Sequence, residues 1–167
     1  MRIFSNKIFA DSLEVCAAAN DAALDPVVQQ TLAGHLCVAA VAAIECSLRS
    51  AYIEFSGNNS RSFEIFVSKQ FEKFNARVRF QQINDDFSGR IEEKYQRTWG
   101  RYRKAITRKY LAAAGTDPFS DYSNLVFWRH KFVHDQTRPP ATVSDVVRAA
   151  VSSEIVLECF CRALKVD

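Results

Sequence analysis

The densest group of chemically capable side chains lies between Asn124 and Asp135. Two of the three histidines, His130 and His134, are four residues apart there, directly after Arg129. On a helix, four steps of 100° bring two side chains to within 40° of each other, so the histidines are predicted to share a face. Histidine exchanges protons near neutral pH, and arginine carries a permanent charge that binds phosphate oxygens. The segment therefore predicts proton transfer beside an anion.

Two histidines four residues apart are also found in metal sites. Zinc proteases place a glutamate after the first histidine, whereas this chain has the cation Lys131 there. The third histidine, His35, stands alone in an earlier segment, and Cys159 and Cys161 are too close together for a zinc knuckle. We therefore expect no metal at this site and no other cofactor.

The order Arg129, a polar residue at 130 and His134 resembles the motif of the HEPN superfamily, in which histidine follows arginine by four to six positions. The motif's setting is also similar, since it comes late in the chain before a Pro-containing turn and one last helix. The length of 167 residues is similar to compact HEPN proteins, particularly the ribonuclease-like group associated with RiboL-PSP proteins. The resemblance implies a metal-independent endoribonuclease, often a toxin or an anti-phage factor, that acts as a homodimer.

The residue chemistry is compatible with RNA cleavage, because RNA supplies its own 2′-hydroxyl nucleophile. His134 would move protons and Arg129 would stabilise the developing charge, leaving a 2′,3′-cyclic phosphate and a 5′-hydroxyl. Five residues of ideal helix separate the two side chains by about 140° and by about 7.5 Å along the axis. A distorted helix end or a two-fold dimer would bring them together, so we predict a homodimer whose axis passes near this helix. The alternative is that both residues only stabilise the bundle.

Two further residues are candidates for a supporting role. His130 would contact the substrate or support the site, or would be a solvated surface histidine. Glu45 lies four residues before Arg49 in an apolar segment, where the two could form an ion pair within the helix. Alternatively, Glu45 would orient Arg129 or a histidine. Asp135 is not expected to complete a catalytic triad.

Positive charge is concentrated between Arg90 and Lys109, which holds eight basic and two acidic residues, or 8 − 2 = +6. The whole chain sums to only +3, so the remainder carries −3. Five of the basic residues are spaced by 3, 4, 3 and 4 and form one stripe along a helix: Lys94, Arg97, Arg101, Lys104 and Arg108. Such a stripe suits an RNA phosphate backbone, so these five are the predicted RNA-binding residues. A solvated helix face or an acidic protein partner are the alternatives.

The elements that must position these residues are long helices. Glycine and proline together number nine, too few for the frequent turns of a β-sandwich or barrel. The spacing of apolar residues and caps predicts helices over 4–20, 26–55, 60–74, 88–114, 118–136 and from 144, with a loop or short element at 80–86. We expect an all-α protein, an antiparallel bundle of about five to six helices in a single domain spanning residues 1–167.

Two buried helix faces are predicted from regular spacing. The first has steps of three and four residues in the segment after Pro26, at Cys37, Val41, Ile44, Leu48, Ala51 and Phe55. The second has steps of four in the last helix, at Val147, Val151, Ile155 and Cys159. Ser88 is predicted to cap the basic helix at its start, and Gly115 at its end.

The chain carries no recognisable targeting segment at its start, and its longest apolar run, 36–44, is shorter than the roughly 20 residues of a membrane span. The five cysteines are odd in number and four lie among apolar residues, which favours free thiols in a reducing compartment. We therefore expect a cytoplasmic protein without membrane contact.

The leading hypothesis is a dimeric HEPN-type endoribonuclease, with RNA as substrate and an antitoxin or regulatory protein as a further partner. The competing hypothesis is a non-catalytic helical module that binds a partner protein or a nucleotide. A DNA-binding regulator is a third alternative, although no helix-turn-helix spacing precedes the basic stripe.

Overall fold

The structure, a computed structural model, describes residues 6–20, 25–73, 78–89 and 91–166. These residues form seven helices and no strand, which confirms the all-α prediction with one or two helices more than expected. The helices are α1 (Lys7–Asn20), α2 (Pro26–Asn59), α3 (Arg61–Lys73), α4 (Phe80–Gly89), α5 (Glu93–Ala114), α6 (Pro118–His134) and α7 (Val143–Leu164).

Helix α2 is the centre of the bundle and contacts α1, α3, α6 and α7. It begins at Pro26 as predicted, because the Asp25 carboxylate accepts a hydrogen bond from the Val27 amide at 2.7 Å. It ends at Asn59, four residues later than predicted. Ser56 does not break it, since its buried hydroxyl donates to the Ile53 carbonyl at 2.7 Å. The predicted face is buried, with only Phe55 partly exposed.

Helix α2 is also the one described helix that is long and apolar enough to cross a membrane by length and composition. Of its most apolar 18-residue window, 61% is buried inside the bundle. The core helix of a soluble protein has the same properties, so this feature carries no assignment to a membrane.

The boundary between α4 and α5 differs from the prediction. Ser88 lies inside α4, and α5 begins at Glu93 instead of near residue 88. Tertiary contacts explain the extra helix, since Ile83 is buried and the Trp99 indole N–H donates to Asn84 Oδ1 at 3.0 Å. The predicted end of α5 is correct, because Gly115 takes the left-handed conformation, with φ 66°.

Aromatic rings join α5, α6 and α7 at one end of the bundle. The Trp99 ring centroid lies 5.9 Å from that of Phe119 and 6.3 Å from that of Phe160. Phe119 lies in the first turn of α6 and Phe160 near the end of α7, and the Ser152 hydroxyl of α7 donates to Asp121 of α6 at 2.8 Å. Helices α6 and α7 are therefore antiparallel.

The buried face of α7 is not the predicted one. Of the four residues at spacing of four, only Cys159 is buried, and Val151 is 46% exposed. The buried face instead includes small residues, such as Ala149, Ala150 and Ser153. The Ser153 hydroxyl donates to the Ala149 carbonyl at 2.7 Å and so enters the core without an unpaired group. Small side chains allow the neighbouring helices to pack closely here.

All five cysteines are free thiols, and Cys46 alone is exposed. Burial raises the pKa of the Cys37 and Cys159 thiols to about 12, which keeps them protonated and unreactive. These residues behave as small apolar side chains, in agreement with their neighbours in the sequence.

Candidate active site at the C-terminal end of helix α6

Helix α6 begins at Pro118, where the sequence predicts, and ends at His134, two residues before the predicted end. At its start, the Asp117 carboxylate accepts hydrogen bonds from the Phe119 amide and from the Thr107 hydroxyl of α5. At its end, the Thr137 amide donates to the Lys131 carbonyl at 3.2 Å, and Gln136 adopts a positive φ of 52°. The chain therefore leaves the helix immediately after His134, and the histidines occupy its last two turns.

The last turns of α6 rest directly on the backbone of α2. A Cβ atom added to Gly34 would lie 2.4 Å from ring atoms of Phe132, so only glycine admits the ring at this position. His35 packs edge-on against the same ring, with centroids 5.1 Å apart. Beyond the helix, Arg138 Nε donates to Thr31 Oγ1 at 3.2 Å. This end of α6 is thus held against the first third of α2.

His130 and His134 share a face, as predicted. Their ring centroids are 4.8 Å apart; His134 is exposed and His130 is partly buried. Lys131 lies beside them and forms an ion pair with Asp135 at 2.6 Å. The hydrogen bond from Lys131 holds the pKa of the Asp135 carboxyl below its usual value, and the nearby histidines act in the same direction. Asp135 is therefore engaged by Lys131 and does not orient an imidazole.

Arg129 and His134 are not brought together within one chain. Helix α6 is regular up to His134, so the separation of about 140° expected for ideal geometry applies, and the distorted helix end considered above is not observed. Arg129 is partly buried on the side of α6 that approaches α2. A shared site for these two residues would require a second copy of the chain.

Glu45 of α2 lies close to Arg129 and forms no ion pair with Arg49 within the described part of the chain. Burial raises the pKa of the Glu45 carboxyl, and the charge of Arg129 only partly offsets this effect. Tyr122 is the other neighbour: its buried hydroxyl donates to the Val78 carbonyl, and burial together with the charge of Glu45 raises its pKa. Of the interpretations considered for Glu45, its surroundings favour contact with Arg129 over an ion pair within α2.

The predicted basic stripe lies on the exposed face of α5. Two members are neutralised locally, since Lys94 pairs with Glu92 and Arg97 with Glu93, each at 2.8 Å. Its other members, Arg101, Lys104 and Arg108, form no ion pair with any residue that the structure describes. Arg90 lies outside the described residues.

The basic stripe lies on α5, which packs near the start of α6, whereas the histidines lie at the end of α6. The Trp99 contact with Phe119 and the Thr107 contact with Asp117 tie α5 to the start of α6. At 1.5 Å per residue, His134 lies about 22 Å further along that helix than Phe119. Within one chain, the basic stripe therefore does not line the histidine site.

Two exposed apolar residues near the histidines were not singled out from the sequence. Phe127 is 54% exposed and Val133 is 44% exposed. Phe127 lies three residues before His130 and seven before His134, a spacing that places all three on one face. The sequence contains this signal: Phe127 has helical spacing with two polar residues, His130 and His134, and an apolar residue on a polar helix face is expected to be exposed.

Within the ranges that the structure describes, no group of three or more histidine, cysteine or acidic residues is arranged to hold a metal ion. No family model matches the chain, and neither a curated protein nor a solved structure matches it.

Proposed function

We propose that this protein is a cytoplasmic, metal-independent endoribonuclease of the HEPN type, active as a homodimer at the C-terminal end of α6. One observation carries the proposal. His130 and His134 present two imidazoles with centroids 4.8 Å apart at the end of a helix that is fixed against α2. Two adjacent imidazoles can serve as a base and an acid in one reaction, because histidine is the side chain that most often transfers protons in catalysis.

In the proposed reaction, His134 removes the proton from the 2′-hydroxyl, and the 2′ oxygen forms a bond to the adjacent phosphorus. The bond from phosphorus to the 5′ oxygen breaks, and the second imidazole of the pair, that of His130 in its protonated form, donates a proton to that oxygen. The products are a 2′,3′-cyclic phosphate and a 5′-hydroxyl. Arg129 stabilises the negative charge that accumulates on the phosphoryl oxygens.

The second copy of the chain supplies what one copy lacks. Around a two-fold axis, the exposed face of α6 meets its own equivalent, so the cleft contains His134 from both protomers, and Arg129 of each protomer would enter it from the edge next to α2. Phe127 and Val133 provide exposed apolar surface beside the histidines for this contact. Glu45 acts as a positioning residue for Arg129. A toxin or anti-phage role fits this activity, with a neutralising protein as a further partner.

The test is cleavage of single-stranded RNA by the purified full chain in the presence of EDTA. We expect His134→Ala and Arg129→Ala each to reduce the cleavage rate by at least about 100-fold, as for loss of a proton-transfer or charge-stabilising group. Lys69→Ala is the control, because it removes an exposed cation on α3, a helix that packs on α2, and should leave cleavage within a few-fold. Wild-type products should carry cyclic phosphate ends.

Undiminished cleavage by His134→Ala would reject the assigned mechanism, and loss of wild-type activity in EDTA would reject metal independence. The second candidate function is a non-catalytic module that binds a partner protein or a nucleotide. The placement of Arg129 towards Glu45, away from His134, favours it. A folded wild-type protein that does not cleave RNA would support that candidate.

A further inference from the structure

The basic stripe of α5 consists of two parts that differ in charge compensation. In the first, here called the paired half, Lys94 and Arg97 are bound to glutamates at 2.8 Å. In the second, the free half, Arg101, Lys104 and Arg108 are exposed and form no ion pair with described residues. An exposed cation that lacks a protein partner is available to an external anion at no cost in broken ion pairs.

The surroundings of the free half strengthen its positive potential. Residues 94–116 contain seven basic residues and no acidic residue. Asp117, the next acidic residue, accepts hydrogen bonds at the start of α6. The field of the free half is therefore not cancelled along its own helix, and it attracts polyanions from solution.

Three features point to nucleic acid as the polyanion. The three cations follow one line along the helix, with axial steps of about 4.5 and 6 Å, which suits a chain of phosphates. The partly exposed Tyr102 ring lies beside the line, under Arg101, and its exposed part can contact a base. Leu111 is the one large, exposed apolar residue of α5, so the surface lacks the apolar centre of a protein interface.

We propose that Arg101, Lys104 and Arg108 form an anchoring site for single-stranded RNA, separate from the histidine site; as a substrate anchor, it rests on the proposed ribonuclease function. The offset of about 22 Å along α6 means that a strand stacked at 3.4 Å per nucleotide needs at least about six or seven nucleotides to reach both sites. The anchor raises the affinity for longer RNA and leaves the chemical step unchanged. It therefore lowers KM for long substrates only.

The test first measures binding without cleavage. A fluorescein-labelled 20-nucleotide single-stranded RNA is titrated with the His134→Ala protein at several salt concentrations. Arg101→Gln with Arg108→Gln removes two cations of the free half, and Lys94→Gln with Arg97→Gln is the control with the same change in net charge. We expect the first pair to reduce the slope of log affinity against log salt by about 1.4. The control pair should change it by less than half as much.

Cleavage kinetics of the wild-type background then test the anchor's role. Arg101→Gln with Arg108→Gln should raise KM for the 20-nucleotide RNA with kcat unchanged, and should not affect a four-nucleotide RNA. Equal effects of both variant pairs would overturn the proposal, because they would show a general field and not a site. Equally tight binding of polyglutamate would also overturn it, in favour of an acidic protein partner.

These outcomes separate the two proposals. Salt-dependent RNA binding through the free half without any cleavage by wild type would reject the ribonuclease function and retain an RNA-binding site. Cleavage with an unchanged KM in the free-half variant would reject the anchor and retain the ribonuclease.

Discussion

The two ends of α6 differ in what surrounds them. At its start, Phe119 is buried and packs against the rings of Phe80 and Trp99. At its end, His134 and Phe127 are exposed on one face. A buried aromatic cluster contributes to stability through apolar area and ring packing, whereas exposed imidazoles contribute little. Substitutions at the first end should therefore change folding, and substitutions at the second should change function.

The largest effect is expected from Phe160→Ala at the aromatic end. The Phe160 ring is fully buried and contacts Tyr52 and Trp99 edge-on. Truncation should reduce the free energy of unfolding by about 3–5 kcal/mol, measured by urea denaturation. Phe127→Ala removes the same side chain from the exposed end and should cost less than about 0.5 kcal/mol, measured at a protein concentration low enough to dissociate the proposed dimer. Similar losses for both would contradict the contrast between the ends.

Gly34→Ala is predicted to be the most destabilising change at the histidine end. Alanine favours helix over glycine by up to about 1 kcal/mol, but its Cβ would overlap the Phe132 ring. We expect a net loss of about 1–3 kcal/mol in the free energy of unfolding, because the ring must move. The smaller side chain of Phe132→Leu should recover part of the loss in the double variant. Additive losses in this cycle would show that the two residues do not interact.

A smaller effect is predicted at the start of α7, which follows the histidine end. The Thr142 hydroxyl accepts from the Asp145 amide at 3.1 Å, and Asp145 accepts from the Thr142 amide at 3.0 Å. Thr142→Ala should cost about 1 kcal/mol at pH 7 by urea denaturation.

The Thr142 amide and hydroxyl both donate to the Asp145 carboxylate, and these hydrogen bonds lower the pKa of Asp145 below its usual 3.8. The folded state therefore binds the proton less readily than the unfolded state, and stability is lost as pH falls below about 3.8. In Thr142→Ala, this acid-side loss should be reduced. A pH dependence identical to that of wild type would show that Asp145 does not report on the cap.

The smallest effect is expected for Glu45→Gln, whose sign is informative. Burial raises the pKa of Glu45 above its usual 4.5, so the folded state binds a proton more readily than the unfolded state. This contribution to stability falls as pH rises from about 4.5 through the raised pKa. Glu45→Gln should therefore increase stability at pH 7 relative to its effect at pH 4. A decrease at pH 7 would indicate that attraction to Arg129 outweighs burial.

The sequence predicts a helix face well where large apolar residues define it. Leu48 and Ile44 of α2 belong to such a row, and the row is buried. The prediction of the buried face is wrong for α7, where Ala149, Ala150 and Ser153 form much of that face. Small residues are compatible with burial and with exposure, so their spacing carries little information. Which of them is buried depends on which helix packs against them.

The candidate site also has some features that the sequence predicts and others that depend on packing between helices. The shared face of His130 and His134 follows from the helical period alone, as does the separation of Arg129 from His134. The proximity of Arg129 to Glu45 depends on how α6 crosses α2, which the period does not determine. The five cations of the basic stripe are regularly spaced, so their spacing does not distinguish among them. Ion pairs with neighbouring glutamates neutralise only the first two, Lys94 and Arg97.

The contact between Phe132 and Gly34 has a mechanical consequence. Because the ring fills the space of a missing side chain, α6 cannot slide along or rotate against α2 without driving ring atoms into backbone. In most helix contacts both helices present side chains, which can change rotamer when the helices shift. In this contact α2 presents only the backbone of Gly34. The end of α6 that carries the two imidazoles is consequently held at a fixed position against α2.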